Sequence, residues 1–187
     1  KSEADYVSRE IIKLKQHYGF NYSDIAILYR SSYVTADFEQ AFVAKGIPYK
    51  VFGGTKFYQR REIKDVLAYF RLVTNTADDI SFDRIINVPR RGIGEQSHLI
   101  LKSEASKNNQ SLYDYIFSAE ESAVSKKVFS SLKNMIVLID KARNDIAKNE
   151  EVFSKILEDM ITSIGYYEYL LKEDDGEERI ENVKALF

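Results

Sequence analysis

Beyond the glycine pair Gly53-Gly54, apolar residues recur at three- and four-residue spacing almost to the last residue, a period that admits helices and little else. Glu62 to Leu72 is the strongest instance, with Ile63, Val66, Leu67 and Phe70 along one face. Ile80 to Asn87 gives a shorter helix, with Asp78 or Asp79 placed as its N-cap. Pro89-Arg90-Arg91-Gly92-Ile93-Gly94 reads as a turn, and Glu95 to Ser106 is helical again. Ser111, Asn149 and neighbouring polar residues open further helices over roughly 112–118, 122–147 and 151–163. Gly165 and the acidic Glu173–Glu178 stretch separate the last pieces.

Ahead of the glycine pair the pattern is different. Glu3 to Tyr18 is predicted helical, with Tyr6, Val7, Ile11, Ile12 and Leu14 on its apolar side and Gly19 as its stop. Asp24 to Tyr29 is a continuous apolar run ending in Arg30, and its length and isoleucine content suit a buried parallel strand. Ser31 to Lys45 is a second helix, with Phe38, Ala41 and Phe42 inward and Gly46 as cap. Ile47 to Phe52 is a second short strand. Helix, strand, helix, strand is the alternation of an α/β layer structure. The expected fold is therefore α/β plus all-α, with a boundary near Gly53–Lys56. The chain begins without Met and stops inside the helical pattern Ile180, Val183, Leu186, Phe187, which reads as a piece of something longer.

Composition narrows the function classes. Of 187 residues 44% are hydrophobic, including 13 Tyr and 11 Phe, enough to fill a core. No run approaches the roughly 18 apolar residues of a membrane span, and no signal peptide opens the chain. Absence of cysteine excludes disulfides and thiolate metal sites, and fits a cytoplasmic protein. A net charge of −2 argues against a wholesale nucleic-acid coat. Yet Lys56 to Arg91 holds eight Lys/Arg against five Asp/Glu, while Glu173 to Glu181 holds six carboxylates and one Arg. A local basic surface fits that placement, and so do ordinary solvated faces.

No catalytic or metal site emerges. There is no Gly-rich loop ending in Lys-Ser/Thr to cradle a nucleotide phosphate. The two histidines, His17 and His98, stand far apart without ligand spacing, and His17 reads as a helix-surface residue. Asp78-Asp79 and Asp174-Asp175 are adjacent residues that point apart, so they read as caps or solvated loops. Most tyrosines fall at helical core spacing.

Two features do suggest nucleic acid. Gly92-Ile93-Gly94 precedes a helix start, where free N–H groups and the helix dipole favour a phosphate, and glycine lets the backbone come close. Ser97 adds a hydroxyl in the first turn, and Arg90 and Arg91 flank it. That is helix–hairpin–helix-like chemistry, which grips duplex backbone without reading bases, although the same pattern also describes a plain tight turn. Tyr29-Arg30-Ser31-Ser32 ends the first predicted strand, where α/β sheets bind ligands. Arg30 and the hydroxyls suit a phosphate, and Arg30 equally suits a bridge to a nearby carboxylate.

Taken in order, several segments resemble the UvrD/PcrA/Rep helicases of superfamily one, and within them the PcrA branch. They are Asp24 to Arg30, Gly46-Ile47-Pro48-Tyr49, Gly53-Gly54, Phe57 to Tyr69, Arg84 to Gly94, and Arg179-Ile180-Glu181-Asn182. The resemblance implies that residues 1–55 begin the second RecA-like domain of an ATP-driven 3′-to-5′ DNA translocase acting in repair and replication. Residues 56–187 would be most of the helical subdomain inserted into that domain. It further implies single-strand contact by Arg30 and Ser32, the latter standing where the family usually has Asn. Lys64 matches a basic position at the hinge and the duplex junction, and Arg91, Gly92, Gly94 and Ser97 match a duplex-backbone contact. Val34-Thr35-Ala36 replaces the family's usual Gln-Ser-Arg and removes a cation. The ATP and Mg²⁺ sites of such motors match no segment here, so the chain alone is expected to hydrolyse no ATP. Two further readings stand beside this one: a protein-interaction module for RNA polymerase or repair proteins, and part of an AddA/RecB-type helicase-nuclease.

Overall fold

A computed structural model describes residues 2–30, 32–52, 56–148 and 152–187. The chain forms two compact units, Lys1–Ile63 with Glu181–Leu186, and Lys64–Ile180 with Phe187. The described residues contain ten α-helices, joined by turns and short extended segments.

In the first unit, α1 (Ser2–Tyr18) packs against α2 (Thr35–Ala44). Glu3 and Asp5 in the first turn of α1 and Lys15 in its last complement the helix dipole. α2 ends in a Schellman motif: the Ile47 N–H reaches the Phe42 carbonyl at 2.8 Å, and Gly46 N–H reaches Val43 at 3.2 Å. The motif needs the left-handed φ of +66° at Gly46, and it brings Ile47 back onto Phe42. Those two side chains and Ile11 are the buried centre of this unit, with Val7, Ile25, Ile27, Phe38 and Tyr49 packed around them.

The predicted strands are corrected here. Among the described residues there is no strand. Ile25 does have extended backbone (φ −113°, ψ 129°), but extended residues make a strand only when a neighbour supplies a ladder, and neither Ile25–Tyr29 nor the run after Ile47 has one. Leu28 is 96% exposed, so one side of its run is not packed. No α/β layer is thus formed among the described residues, and Gly53-Gly54 lies outside them. The predicted Ser31–Lys45 helix starts instead as a 3₁₀ turn over Ser32–Val34.

Buried polar groups in this unit are tied together. Glu39 accepts from the Phe57 N–H at 2.9 Å and from the Tyr49 hydroxyl at 2.8 Å. Arg60 donates to Thr35 Oγ1 at 2.9 Å and to Asn182 Oδ1, and Asn182 Nδ2 donates to Glu62 at 2.8 Å. Glu39, Glu62 and Asn182 are each 2–3% exposed, and such groups are stable inside only with partners of this kind. Thr35, 4% exposed, is therefore an interior acceptor.

The second unit is helical, as its apolar period requires. α3 (Arg61–Thr74) contributes Val66, Tyr69 and Leu72 to its core, and α4 (Asp79–Ile85) contributes Phe82 and Ile85. The Asp78 side chain caps α4 by accepting the Ser81 N–H at 3.0 Å. α5 (Glu95–Lys107) packs on α6 (Leu112–Ser118), which lies against both α4 and α7 (Lys126–Lys148). α7 buries Val128, Leu132, Met135, Ile136 and Ile139, one continuous stripe at helical spacing. α8 (Phe153–Ser163) packs on α7 and on α9 (Tyr166–Leu170), and α10 (Gly176–Lys184) closes the series. Asp65 of α3 is buried between two partners, accepting the Tyr166 hydroxyl at 3.0 Å and an Arg84 N–H at 2.8 Å. Among the described residues, no helix is long and apolar enough to cross a membrane.

Candidate nucleic-acid interface

α4 stops at Ile85, leaving carbonyls at its C-terminal end without intrahelical donors. Arg91 supplies donors there, beside the Val88 N–H that reaches the Ile85 carbonyl at 3.0 Å. Its Nη1 donates to the carbonyls of Ile85 at 2.9 Å, Ile86 at 3.2 Å and Pro89 at 3.1 Å, and its Nη2 donates to the Tyr69 hydroxyl at 2.8 Å. A cation at this end of a helix is also favoured by the dipole. The Tyr69 hydroxyl in turn donates to the Val88 carbonyl. Burial pushes the ionisation of Tyr69 up to about 12, against the pull of Arg91, so the hydroxyl stays a neutral donor at ordinary pH.

Asn87 spans the turn from inside. Its Oδ1 accepts the Arg91 N–H at 2.7 Å and the Ile93 N–H at 3.4 Å, while its Nδ2 donates to the Ile93 carbonyl at 3.0 Å. Ile93 is the turn's buried anchor, 7% exposed. Gly92, at φ +74°, reverses the chain in a conformation that L side chains rarely adopt.

Gly94 is the N-cap of α5, in ordinary extended backbone (φ −91°, ψ 172°) and without a side chain to cap the helix. The helical ladder begins with His98 N–H to the Gly94 carbonyl at 3.1 Å. The amides of Glu95, Gln96 and Ser97 therefore have no acceptor within the helix. A Cβ on Gly94 would meet nothing within 4 Å, and its φ is open to any residue. Neither backbone strain nor packing within the chain requires glycine there. What glycine does leave is an exposed approach to a row of N–H groups at the positive end of a helix.

The charges around this approach are mixed. Arg90 is exposed beside the turn, and Glu95 is exposed in the first turn with the opposite sign. Further along α5, His98 Nε2 lies 2.7 Å from one carboxylate oxygen of Asp83, and Lys102 Nζ lies 2.6 Å from the other. Among the described residues, no three His, Asp or Glu side chains gather to hold a metal ion.

The structure thus brings Arg91, Gly92, Gly94 and Ser97 together at one turn and helix start. Lys64 is exposed on α3, between buried Ile63 and Asp65. Arg30 belongs to the first unit, exposed at the end of the extended run. Ser32 opens the 3₁₀ turn beside it, and its side chain lies outside what is described. Sequence reasoning assigned no role to Asn87 or Tyr69. Asn two residues before a proline is a recognisable turn-former, whereas Tyr69 looks like any other core residue of its helix.

Comparison with known proteins gives a consistent picture. The family model for the UvrD-like helicase C-terminal domain matches residues 1–187. The chain is 38% identical to the ATP-dependent DNA helicase PcrA of Staphylococcus aureus strain Mu50, covering 98% of this chain and 25% of that relative. Against the ATP-dependent DNA helicase PcrA of Staphylococcus epidermidis strain ATCC 35984 the identity is 39%, with the same coverage. The chain thus spans about a quarter of the length of the curated relatives it matches.

Proposed function

The chain belongs to the UvrD-like helicase C-terminal domain family, and from that membership we propose that it is a DNA-contacting part of an ATP-dependent 3′-to-5′ DNA helicase. The observation that carries the proposal is Gly94: a glycine that the chain's own backbone and packing do not require, at the uncapped and exposed start of a helix. A phosphate oxygen seated there would take hydrogen bonds from the first-turn amides and from the Ser97 hydroxyl, and the helix dipole would favour its charge. Gly92 sets the reversal and Arg91 belongs to the same grip. Such contacts touch no base edge, so binding is expected to be indifferent to sequence.

Lys64 serves this grip from α3 at the junction between duplex and single strand, and Arg30 with Ser32 takes single-strand phosphate. ATP and Mg²⁺ belong to other parts of the helicase; no sequence here forms a phosphate-binding loop, and no step of hydrolysis is assigned to these residues. Repair and replication are the settings that fit such a motor.

The test is fluorescence anisotropy of a labelled duplex with a 3′ single-stranded tail, titrated with the chain at about 50 and 200 mM salt. Binding should weaken on the order of tens of fold between the two, as expected for a few phosphate contacts. Absence of binding at the lower salt would overturn the reading and turn attention to protein partners, such as RNA polymerase or repair proteins.

A further inference from the structure

We propose that Arg91 and Asn87 are positioning residues, which build the Gly92–Ser97 turn from behind while the duplex phosphate is held by the backbone in front. The inference rests on the reading above, that this turn takes duplex phosphate. It changes what the most obvious cation of the site does.

The hydrogen bonds decide the role of Arg91. Its Nη1 is shared among three main-chain carbonyls and its Nη2 is given to Tyr69, a side chain with 0% exposure. To meet a phosphate with those nitrogens the guanidinium would have to abandon the end of α4 and a buried hydroxyl together. Taking one donor from those carbonyls and one from the buried hydroxyl together costs more than an exposed phosphate contact returns. The forked shape of the guanidinium suits this task, because several donors in fixed directions lock several acceptors in fixed positions.

Asn87 completes the device. It holds the main chain at both Arg91 and Ile93, so the residue on each side of Gly92 is fixed before any ligand arrives. Gly92 and Gly94 flank the buried Ile93, which leaves the turn little freedom to lose on binding. Arg90 differs from its neighbour: it is exposed, and its charge is the one placed to act on a phosphate.

The salt dependence of binding separates the two roles, because each charge that neutralises a phosphate contributes about 0.9 to the slope of log K against log salt. The experiment measures that slope by anisotropy, with the tailed duplex, for the unaltered chain and for Arg91→Ala, Arg91→Lys, Asn87→Ala and Arg90→Ala. Thermal melts report folding, and the titration end-point reports the active fraction. For Arg91→Ala and Asn87→Ala we expect affinity to fall about tenfold or more with the slope unchanged. Arg91→Lys should fall nearly as far, since lysine keeps the charge and loses the fork. Arg90→Ala should reduce the slope by about 0.9.

A slope reduced by Arg91→Ala and largely restored by Arg91→Lys would overturn the inference while leaving the DNA reading intact, because Arg91 would then touch phosphate directly. A folded Asn87→Ala chain with unaltered affinity would overturn it as well, and that variant keeps the test decisive if Arg91→Ala fails to fold. Absence of salt-dependent binding by the unaltered chain would remove the DNA reading, and this inference with it.

Discussion

The Arg91 guanidinium donates to the Tyr69 hydroxyl at 2.8 Å, which ties the candidate DNA turn to the interior of the second unit through one buried oxygen. Tyr69→Phe deletes that oxygen, so Arg91 and the Val88 carbonyl each lose a partner. We expect a stability loss of about 1–3 kcal/mol, together with weaker duplex binding, although Tyr69 itself is out of reach of any ligand. Tyr113→Phe is the matched control: Tyr113 is also buried, but its hydroxyl makes only a long bond of 3.4 Å to the Ile136 carbonyl, away from the turn. Equal loss of DNA binding in both variants would mean that the effect is general loosening of the core.

Glu104 makes the second unit sensitive to acid. Burial works against its charge, but donors from Ser122, the Ala123 N–H at 3.0 Å and the Tyr115 hydroxyl at 3.0 Å outweigh it and hold the carboxyl below its ordinary value. Because the folded value is the lower one, this contribution is present above the unfolded value of about 4.5 and is lost as pH falls through the folded value. Thermal melts between neutral pH and about pH 3 should show Glu104→Gln less stable at neutrality, with a shallower acid limb. An acid limb identical to that of the unaltered chain would rule out Glu104 as a contributor.

Within the first unit, Asn182 accepts from Arg60 and donates to Glu62. Asn182→Ala should cost about 2 kcal/mol in urea unfolding, since buried Glu62 and half-buried Arg60 each lose one hydrogen bond. Asn182→Asp should also lose stability, because it removes the donor to Glu62 and sets a second carboxylate beside it, while keeping the acceptor for Arg60. An Ala variant as stable as the unaltered chain would contradict the placement of these side chains.

Sequence periodicity reads helices well, because a helix is a local object. The Leu112–Ser118 helix, the Asp78 cap and the Gly46 stop all follow from residues within one or two turns of each other. The two apolar runs before Lys56 have the pattern of strands and form none among the described residues, for the complementary reason. Extended backbone becomes a strand only through a partner, and the run's own residues do not reveal whether the partner is there. Side-chain networks are harder still: nothing near Glu62 announces that Asn182, 120 residues on, will satisfy it. At the candidate site the turn and its glycines were legible, while the inward aim of Arg91 was not. An arginine beside a Gly-x-Gly turn has the same sequence signature whether it faces a phosphate or the carbonyls of the preceding helix.

The most direct test of the central claim asks the amides themselves. Isotope-labelled chain would be titrated with unlabelled duplex, and amide resonances followed by two-dimensional nuclear magnetic resonance at low salt. The expected result is that the largest shifts fall on Gly92 and on Gly94 through Ser97, with Asn87 and Tyr69 little changed, because the turn is already formed. Saturable duplex binding that leaves the amides of Gly94 to Ser97 unmoved would contradict the claim and place the DNA contact elsewhere on the chain.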